Sequence, residues 1–147
     1  MNYLDTSALI KRFVDEPGSE LVAAIVAKER PIAIAKIAYA EVHAGLARKR
    51  REGGLSARQY ARSREQFEEE WGAYVRVDLR DDILVLARDL IQRHPLRGFD
   101  AIHLASALSL RSALAEDIRF VAADTRLLQA AEVESCPVLD VEAATRR

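Results

Sequence analysis

The amino-acid sequence predicts an α/β fold, a mainly parallel β-sheet with helices on both faces. Two observations carry this. Short β-prone apolar runs alternate along the chain with longer segments whose apolar residues recur at helical spacing, the pattern of a parallel sheet with crossover helices. The length of 147 residues, half of them hydrophobic, also suffices for one well-cored domain, residues 1–147, and no repeat array, low-complexity segment or linker divides it.

Taken in order, Tyr3-Leu4 reads as a very short strand that ends at Asp5. Ser7 to Val14 reads as helix, stopped by the breaker pair Pro17-Gly18. Ser19 is the expected cap of a second helix, whose Leu21, Val22, Ile25 and Val26 form one apolar stripe. Pro31 ends it, and Ile32-Ala33-Ile34 is the second strand. Helix is expected from Ile37 to about Arg51, closed by Gly53-Gly54. Ser56 and Gln59 have the spacing of a capping box, and Leu55 with Tyr60 that of a hydrophobic staple. The helix they open carries Tyr60, Phe67, Trp71 and Tyr74 on about one face, which is core or in part a groove for an amphipathic partner helix. Val75 to Leu79 is the third strand. Asp81 and Asp82 suit the first turn of a helix that stops before Pro95. Phe99 to about Leu114 is helix, Arg119 to Ala122 strand, Thr125 to Glu132 helix, and Val138-Leu139 a weak fifth strand.

Composition narrows the function classes. Lys plus Arg (22) nearly balance Asp plus Glu (23), so net charge alone names no nucleic-acid partner, and local patches decide instead. The single cysteine, Cys136, excludes an internal disulfide framework and suits a reducing cytoplasm. Met1 to Asp5 shows no signal-peptide pattern, and the longest apolar run, Leu21 to Ala27, is too short to span a bilayer. A cytoplasmic protein without membrane contact is expected. No Cys/His spacing suits zinc, and neither a phosphate-binding Walker loop nor a dinucleotide fingerprint occurs.

Acidic residues carry the chemistry. Open α/β sheets bind ligands outside the carboxyl ends of their strands. Asp5 follows Tyr3-Leu4, and Asp124 follows Phe120-Val121-Ala122-Ala123; each also suits the N-cap of the next helix. Glu41 lies in the otherwise apolar helix start Ile37-Ala38-Tyr39-Ala40-Glu41-Val42, where a carboxylate is costly to bury unless paired or bound to a cation. Asp100 opens the apolar helix Phe99-Asp100-Ala101-Ile102-His103-Leu104, where a dipole role is the alternative. Two carboxylates about 4 Å apart repel by roughly 4 kcal/mol at an effective dielectric of about 20. Four together would therefore protonate, distort or recruit a cation; oxygen-only ligands favour a hard ion such as Mg²⁺ or Mn²⁺, and phosphodiester hydrolysis suits that arrangement.

The segments Tyr3-Leu4-Asp5-Thr6-Ser7-Ala8-Leu9, Ala40-Glu41-Val42-His43-Ala44-Gly45-Leu46, Phe99-Asp100-Ala101-Ile102-His103-Leu104-Ala105 and Phe120-Val121-Ala122-Ala123-Asp124-Thr125-Arg126-Leu127 resemble, in order, the four acidic motifs of PIN-domain nucleases. Their order and the chain length resemble the VapC-type toxins of prokaryotic toxin–antitoxin pairs. The resemblance implies a three-layer α/β/α domain with a parallel five-stranded sheet that binds Mg²⁺ or Mn²⁺ and cleaves RNA. It implies Asp5, Glu41, Asp100 and Asp124 as catalytic metal ligands, with Thr6 or Ser7 orienting a carboxylate or a metal-bound water. It further implies a cognate antitoxin and a homodimer. Asp117 rivals Asp124 as fourth acid, but it precedes the strand that Asp124 follows. At about 3.3 Å per strand residue the two lie roughly 20 Å apart, so only one joins the site, and Asp124 is at the correct end.

Other signals stay open. Arg48-Lys49-Arg50-Arg51 with Arg58, Arg62 and Arg64 reads as an RNA-phosphate patch, a solvated helix end, or partners for Glu65 and Glu68-Glu69-Glu70. His43 and His103 read as core-edge residues, His103 also one turn from Asp100, and His94 as a surface loop residue. Two competing functions are a phosphotransferase or phosphatase with Asp5 as nucleophile, and a catalytically silent RNA- or protein-binding module. The first commonly needs a second acid at position 7, which here is Ser7.

Overall fold

Side chains alternate along the strands of this protein, and that alternation builds two separate cores. In the computed structural model, which describes residues 1–146, the strands are β1 (Asn2–Leu4), β2 (Ile32–Ala35), β3 (Val75–Val77), β4 (Arg119–Ala122) and β5 (Val138–Asp140). Leu4, Ile32, Ile34 and Val121 enter one core; Tyr3, Ala33, Ala35, Phe120 and Ala122 enter the other. The first core is closed by α1 (Thr6–Leu9), α2 (Ser19–Lys28), α3 (Ala38–Arg51) and α4 (Ala57–Trp71), which contribute Leu9, Val22, Ile25, Leu46 and Phe67. The second is closed by α5 (Asp81–Arg93), α6 (Gly98–Leu114) and α7 (Thr125–Val133), through Ile83, Leu90, Leu104 and Leu127. The layers are therefore α/β/α.

All neighbouring strands are parallel, in the order β3-β2-β1-β4-β5. The chain winds outward from β1 through β2 to β3, then returns to β4 on the other side of β1. Right-handed crossovers place α2 to α4 on one face and α5 to α7 on the other. Winding reverses between β1 and β4, paired Leu4 to Val121, so their carboxyl ends form the crevice in which such sheets bind ligands.

Several element ends differ from the sequence expectation, each for a local reason. The helix expected over Ser7 to Val14 starts at Thr6 and tightens after Leu9 into a 3₁₀ turn, Ile10–Arg12, with Phe13 N donating to Ile10 O. Ser19 does not cap α2. Gly18 takes the N-cap position at φ +93°, and the Ser19 hydroxyl donates to Val14 O at 2.7 Å while accepting from Glu16 N. β3 ends at Val77, two residues early, where Lys36 N takes its carbonyl and Lys36 pairs with Asp78 at 2.6 Å. The capping box of α4 forms with both bonds, Gln59 N to Ser56 Oγ and Ser56 N to Gln59 Oε1.

Gly18 yields a stability prediction. A Cβ there would lie 2.8 Å from the Val141 carbonyl oxygen, in a left-handed conformation. Gly18→Ala is expected to cost about 2 kcal/mol, near 5 °C in Tm. Gly72→Ala, with a helical φ of −70° and open space around it, should hold or slightly raise Tm. Equal melting of the two variants would contradict the assignment.

Candidate active site

Asp5 sits where β1 leaves the sheet. Its backbone N–H still donates to Val121 O at 3.1 Å, extending the ladder, while its side chain turns to cap α1. Oδ1 accepts from Ala8 N at 3.1 Å and from the Ser7 hydroxyl at 2.7 Å. Ser7 Oγ in turn accepts from Ala123 N at 2.9 Å, which ties the end of β1 to the residue before Asp124. Asp124 caps α7, its Oδ1 accepting from Arg126 N and Leu127 N at 3.0 and 3.2 Å. Capping therefore accompanies the strand-end placement of both acids.

Asp5 is only 4% exposed. Burial pushes its carboxyl up to about 6, and the Asp124 charge adds to this, against the opposing charge of His103 and the hydrogen bonds from Ser7 and Ala8. Glu41, in the first turn of α3, moves the other way. Burial would raise it, but the His103 hydrogen bond and charge and the Thr6 hydroxyl outweigh burial and lower it. Its Oε1 accepts from Thr6 Oγ1 and from His103 Nε2, both at 2.7 Å.

Asp100 lies one helical turn before His103 on α6, and its Oδ2 accepts from Arg97 N at 3.3 Å. That is half of a capping box; the other half has no physical basis, because a guanidinium carries no acceptor. Asp117 lies at the amino end of β4, its backbone oxygen accepting from the Met1 amino group, at the far end of the sheet from Asp124.

Among the described residues each of the four carboxylates commits one oxygen to the protein and leaves the other without a hydrogen bond: Oδ2 of Asp5 and Asp124, Oε2 of Glu41, Oδ1 of Asp100. Among the described residues no Lys or Arg forms an ion pair with any of them. Hard oxygen donors held from one side fit Mg²⁺ or Mn²⁺. Convergence of three or more His, Cys, Asp or Glu side chains on one ion is not seen among the described residues. The acids instead form a chain of neighbours, Asp124–Ala123–Ser7–Asp5 on one side and Thr6–Glu41–His103 on the other, with Asp100 a turn away.

His103 and Tyr3 are the residues that the sequence reading undervalued. The ring of His103 is not at the core edge but inside, between Tyr3 and Glu41. The available signal was the three-residue step from Asp100, which places both on one helix face. His94, expected in a surface loop, is tucked against Glu134 at 2.7 Å. His43 bonds Glu68 at 2.8 Å, away from these acids. In the basic stretch, Lys49 pairs with Glu16, and Arg64 lies over the Tyr60 ring. Among the described residues none of its arginines pairs with Glu65 or Glu68 to Glu70; Glu70 pairs with Arg12 instead.

The PIN domain family profile matches residues 3–133. Ribonuclease VapC45 of Mycobacterium tuberculosis is 36% identical over 108 residues, which cover 74% of this chain and 75% of that relative. The crystal structure of FitAcB from Neisseria gonorrhoeae matches with a TM-score of 0.72 at 16% identity, over 97% of this chain and 99% of the other. A toxin–antitoxin complex from Klebsiella pneumoniae matches with a TM-score of 0.68 at 21% identity, over 96% and 98%. With these two structures the chain shares its fold.

The Asp5 environment predicts a pH-dependent stability. Its folded-state value of about 6 lies above the ordinary 3.8, so the native state holds this proton more tightly than the unfolded chain. The resulting stabilisation is complete below the unfolded value and lost as pH rises through the folded one. At pH 7.5 the ionised carboxylate costs up to about 3 kcal/mol relative to a neutral group. In EDTA, Asp5→Asn should therefore melt a few degrees above the wild type at pH 7.5, and the gap should close towards pH 4. A variant that melts below the wild type by the same margin at both pH values would refute this.

Proposed function

The chain belongs to the PIN domain family, and on that premise we propose that it is a Mg²⁺- or Mn²⁺-dependent endoribonuclease, the toxin of a type II toxin–antitoxin pair. The observation that carries the reading is that Asp5, Glu41, Asp100 and Asp124 each have one carboxylate oxygen anchored by the protein and the other without a hydrogen bond among the described residues, with Asp5 and Asp124 just past the neighbouring strands β1 and β4. The ribonuclease name of its relative and the toxin–antitoxin complex of its structural neighbour support the same activity and an antitoxin partner. In this reading the domain fills residues 1–147.

Asp5, Glu41, Asp100 and Asp124 would hold the ion, which when bound supplies an activated water and charge neutralisation at the scissile phosphate. Magnesium commonly uses only one or two carboxylates and keeps several waters, so acids spaced along a crevice suit it. Asp5 presents Oδ2 while Ser7 and Ala8 hold Oδ1, which fixes the carboxylate plane. Thr6 does the same for Glu41, whose lowered pKa keeps it charged at neutral pH. Ser7 and Thr6 thus each orient a carboxylate. Exposed Arg48, Arg50 and Arg51 lie at the far end of α3 from Glu41, about 10 to 15 Å along the axis, a span suited to neighbouring RNA phosphates.

A second copy of the chain is the other proposed partner. Leu84, Val85 and Ile91 leave an apolar strip exposed on α5, with Leu79 just before it. No described helix is long and apolar enough to cross a membrane. The phosphoaspartate alternative has little to stand on, because the Ser7 hydroxyl is committed to Asp5 and Ala123 and supplies no second acid.

Incubation of the protein with RNA and Mn²⁺ or Mg²⁺ should give endonucleolytic products that EDTA abolishes. Asp5→Asn should lower kcat at least about a hundredfold. Millimolar Mn²⁺ should also raise the Tm of the wild type but not that of Asp5→Asn. Cleavage that survives both EDTA and the substitution would overturn the metal-nuclease reading.

A further inference from the structure

His103 is 2% exposed, so both ring nitrogens must find partners inside the protein. Nε2 lies 2.7 Å from Glu41 Oε1 and 3.2 Å from Thr6 Oγ1; Nδ1 lies 2.9 Å from the Tyr3 hydroxyl. The protons can be assigned from chemistry alone. A carboxylate only accepts, so Nε2 is the protonated nitrogen and donates to Glu41. The single Thr6 hydroxyl proton goes to the same oxygen at 2.7 Å, leaving Thr6 as a weak second acceptor for Nε2. In the neutral ring Nδ1 then accepts from Tyr3 O–H. The chain of donors runs from Tyr3 through His103 to Glu41, whose Oε1 accepts from both His103 and Thr6.

The far end of this chain is rigid. Tyr3 is fully buried in β1, stacked on Phe120 with ring centroids 5.4 Å apart, and its ring meets His103 edge-on at 6.1 Å. Glu41, by contrast, is a long side chain, partly exposed, that has no ion pair with Lys or Arg among the described residues. We propose that His103 is a positioning residue: locked by Tyr3, it clamps Oε1 of Glu41 so that Oε2 stays presented to the crevice. It also joins α6 to α3 across the carboxyl end of the sheet, one turn from Asp100, so one hydrogen bond sets two of the four acids against each other. Nothing in this role requires His103 to touch substrate. The inference rests on the proposed nuclease reading for its consequence, but not for the clamp itself.

Three variants and a spectroscopic measurement test it. His103→Leu removes both bonds, His103→Gln keeps an amide donor for Glu41, and Tyr3→Phe removes only the hydroxyl that fixes the ring. Calorimetry with Mn²⁺ alone should show His103→Leu binding about 10- to 100-fold more weakly, with His103→Gln recovering most of that loss. RNA cleavage should lose kcat in the same order while KM stays within about twofold. Tyr3→Phe should give a smaller loss that disappears in the His103→Gln background. In metal-free protein, ¹⁵N shifts of His103 should report protonated Nε2 and unprotonated Nδ1. Wild-type Mn²⁺ affinity and kcat in a folded His103→Leu, a Gln variant no better than Leu, or the opposite tautomer would overturn the clamp. If the wild type neither binds Mn²⁺ nor cleaves RNA, the nuclease reading falls, and the nitrogen shifts still decide the clamp.

Discussion

A carboxylate at the end of a fully buried strand has to be satisfied by its surroundings, and around Asp5 that requirement organises the whole site. Its Oδ1 is met by the first turn of α1 and by Ser7. Ser7 then reaches Ala123 and so registers β4 against β1 at the point where the sheet reverses its winding. Thr6, between these residues, holds Glu41 from α3, and Glu41 holds His103 from α6. Three consecutive residues after β1 thereby connect elements from both helical layers.

The treatment of buried charge separates scaffold from site. Lys11 is as buried as Asp5, yet it pairs with Glu16 at 3.0 Å and Glu142 at 2.5 Å, and Lys49 joins Glu16 at 2.7 Å. A structural charge taken out of water needs such partners, since burying it alone costs several kcal/mol, roughly. Among the described residues Asp5 has no Lys or Arg partner, and another carboxylate, Asp124, stands close enough to raise it further. The fold tolerates that cost because β1 is flanked on both faces by apolar side chains such as Tyr3, Leu4, Phe120 and Val121, all fully buried. Strain held in place by a good core is the usual signature of a functional position.

The same economy of parts appears in the polar chain from Tyr3 to Glu41. Tyr3 serves the core with its ring and the site with its hydroxyl, which is what an aromatic with one polar tip does well. Its alternation partner Leu4 faces the opposite core, so the shift from packing to chemistry occurs within three residues of one strand.

Local pattern by itself determined much of this protein. Periodicity located all five strands and every long helix, because strand alternation and helical stripes are properties of contiguous residues. Ser56 with Gln59 was legible for the same reason, as were Asp5 and Asp124 at strand ends and the exclusion of Asp117 by strand length. Motif order, which is also linear, pointed to the PIN domain family. Tertiary structure alone decided what lies between those landmarks. Gly18 takes the cap position in place of Ser19, and the Val141 carbonyl, more than a hundred residues away, leaves no room there for a Cβ. His103 became part of the site because β1 and β2, neighbours in the sheet, bring Tyr3 and the start of α3 to one end of α6. Bonds across 62 and 100 residues leave no periodic trace in the chain, since they depend on strand order and layer, which no short window contains.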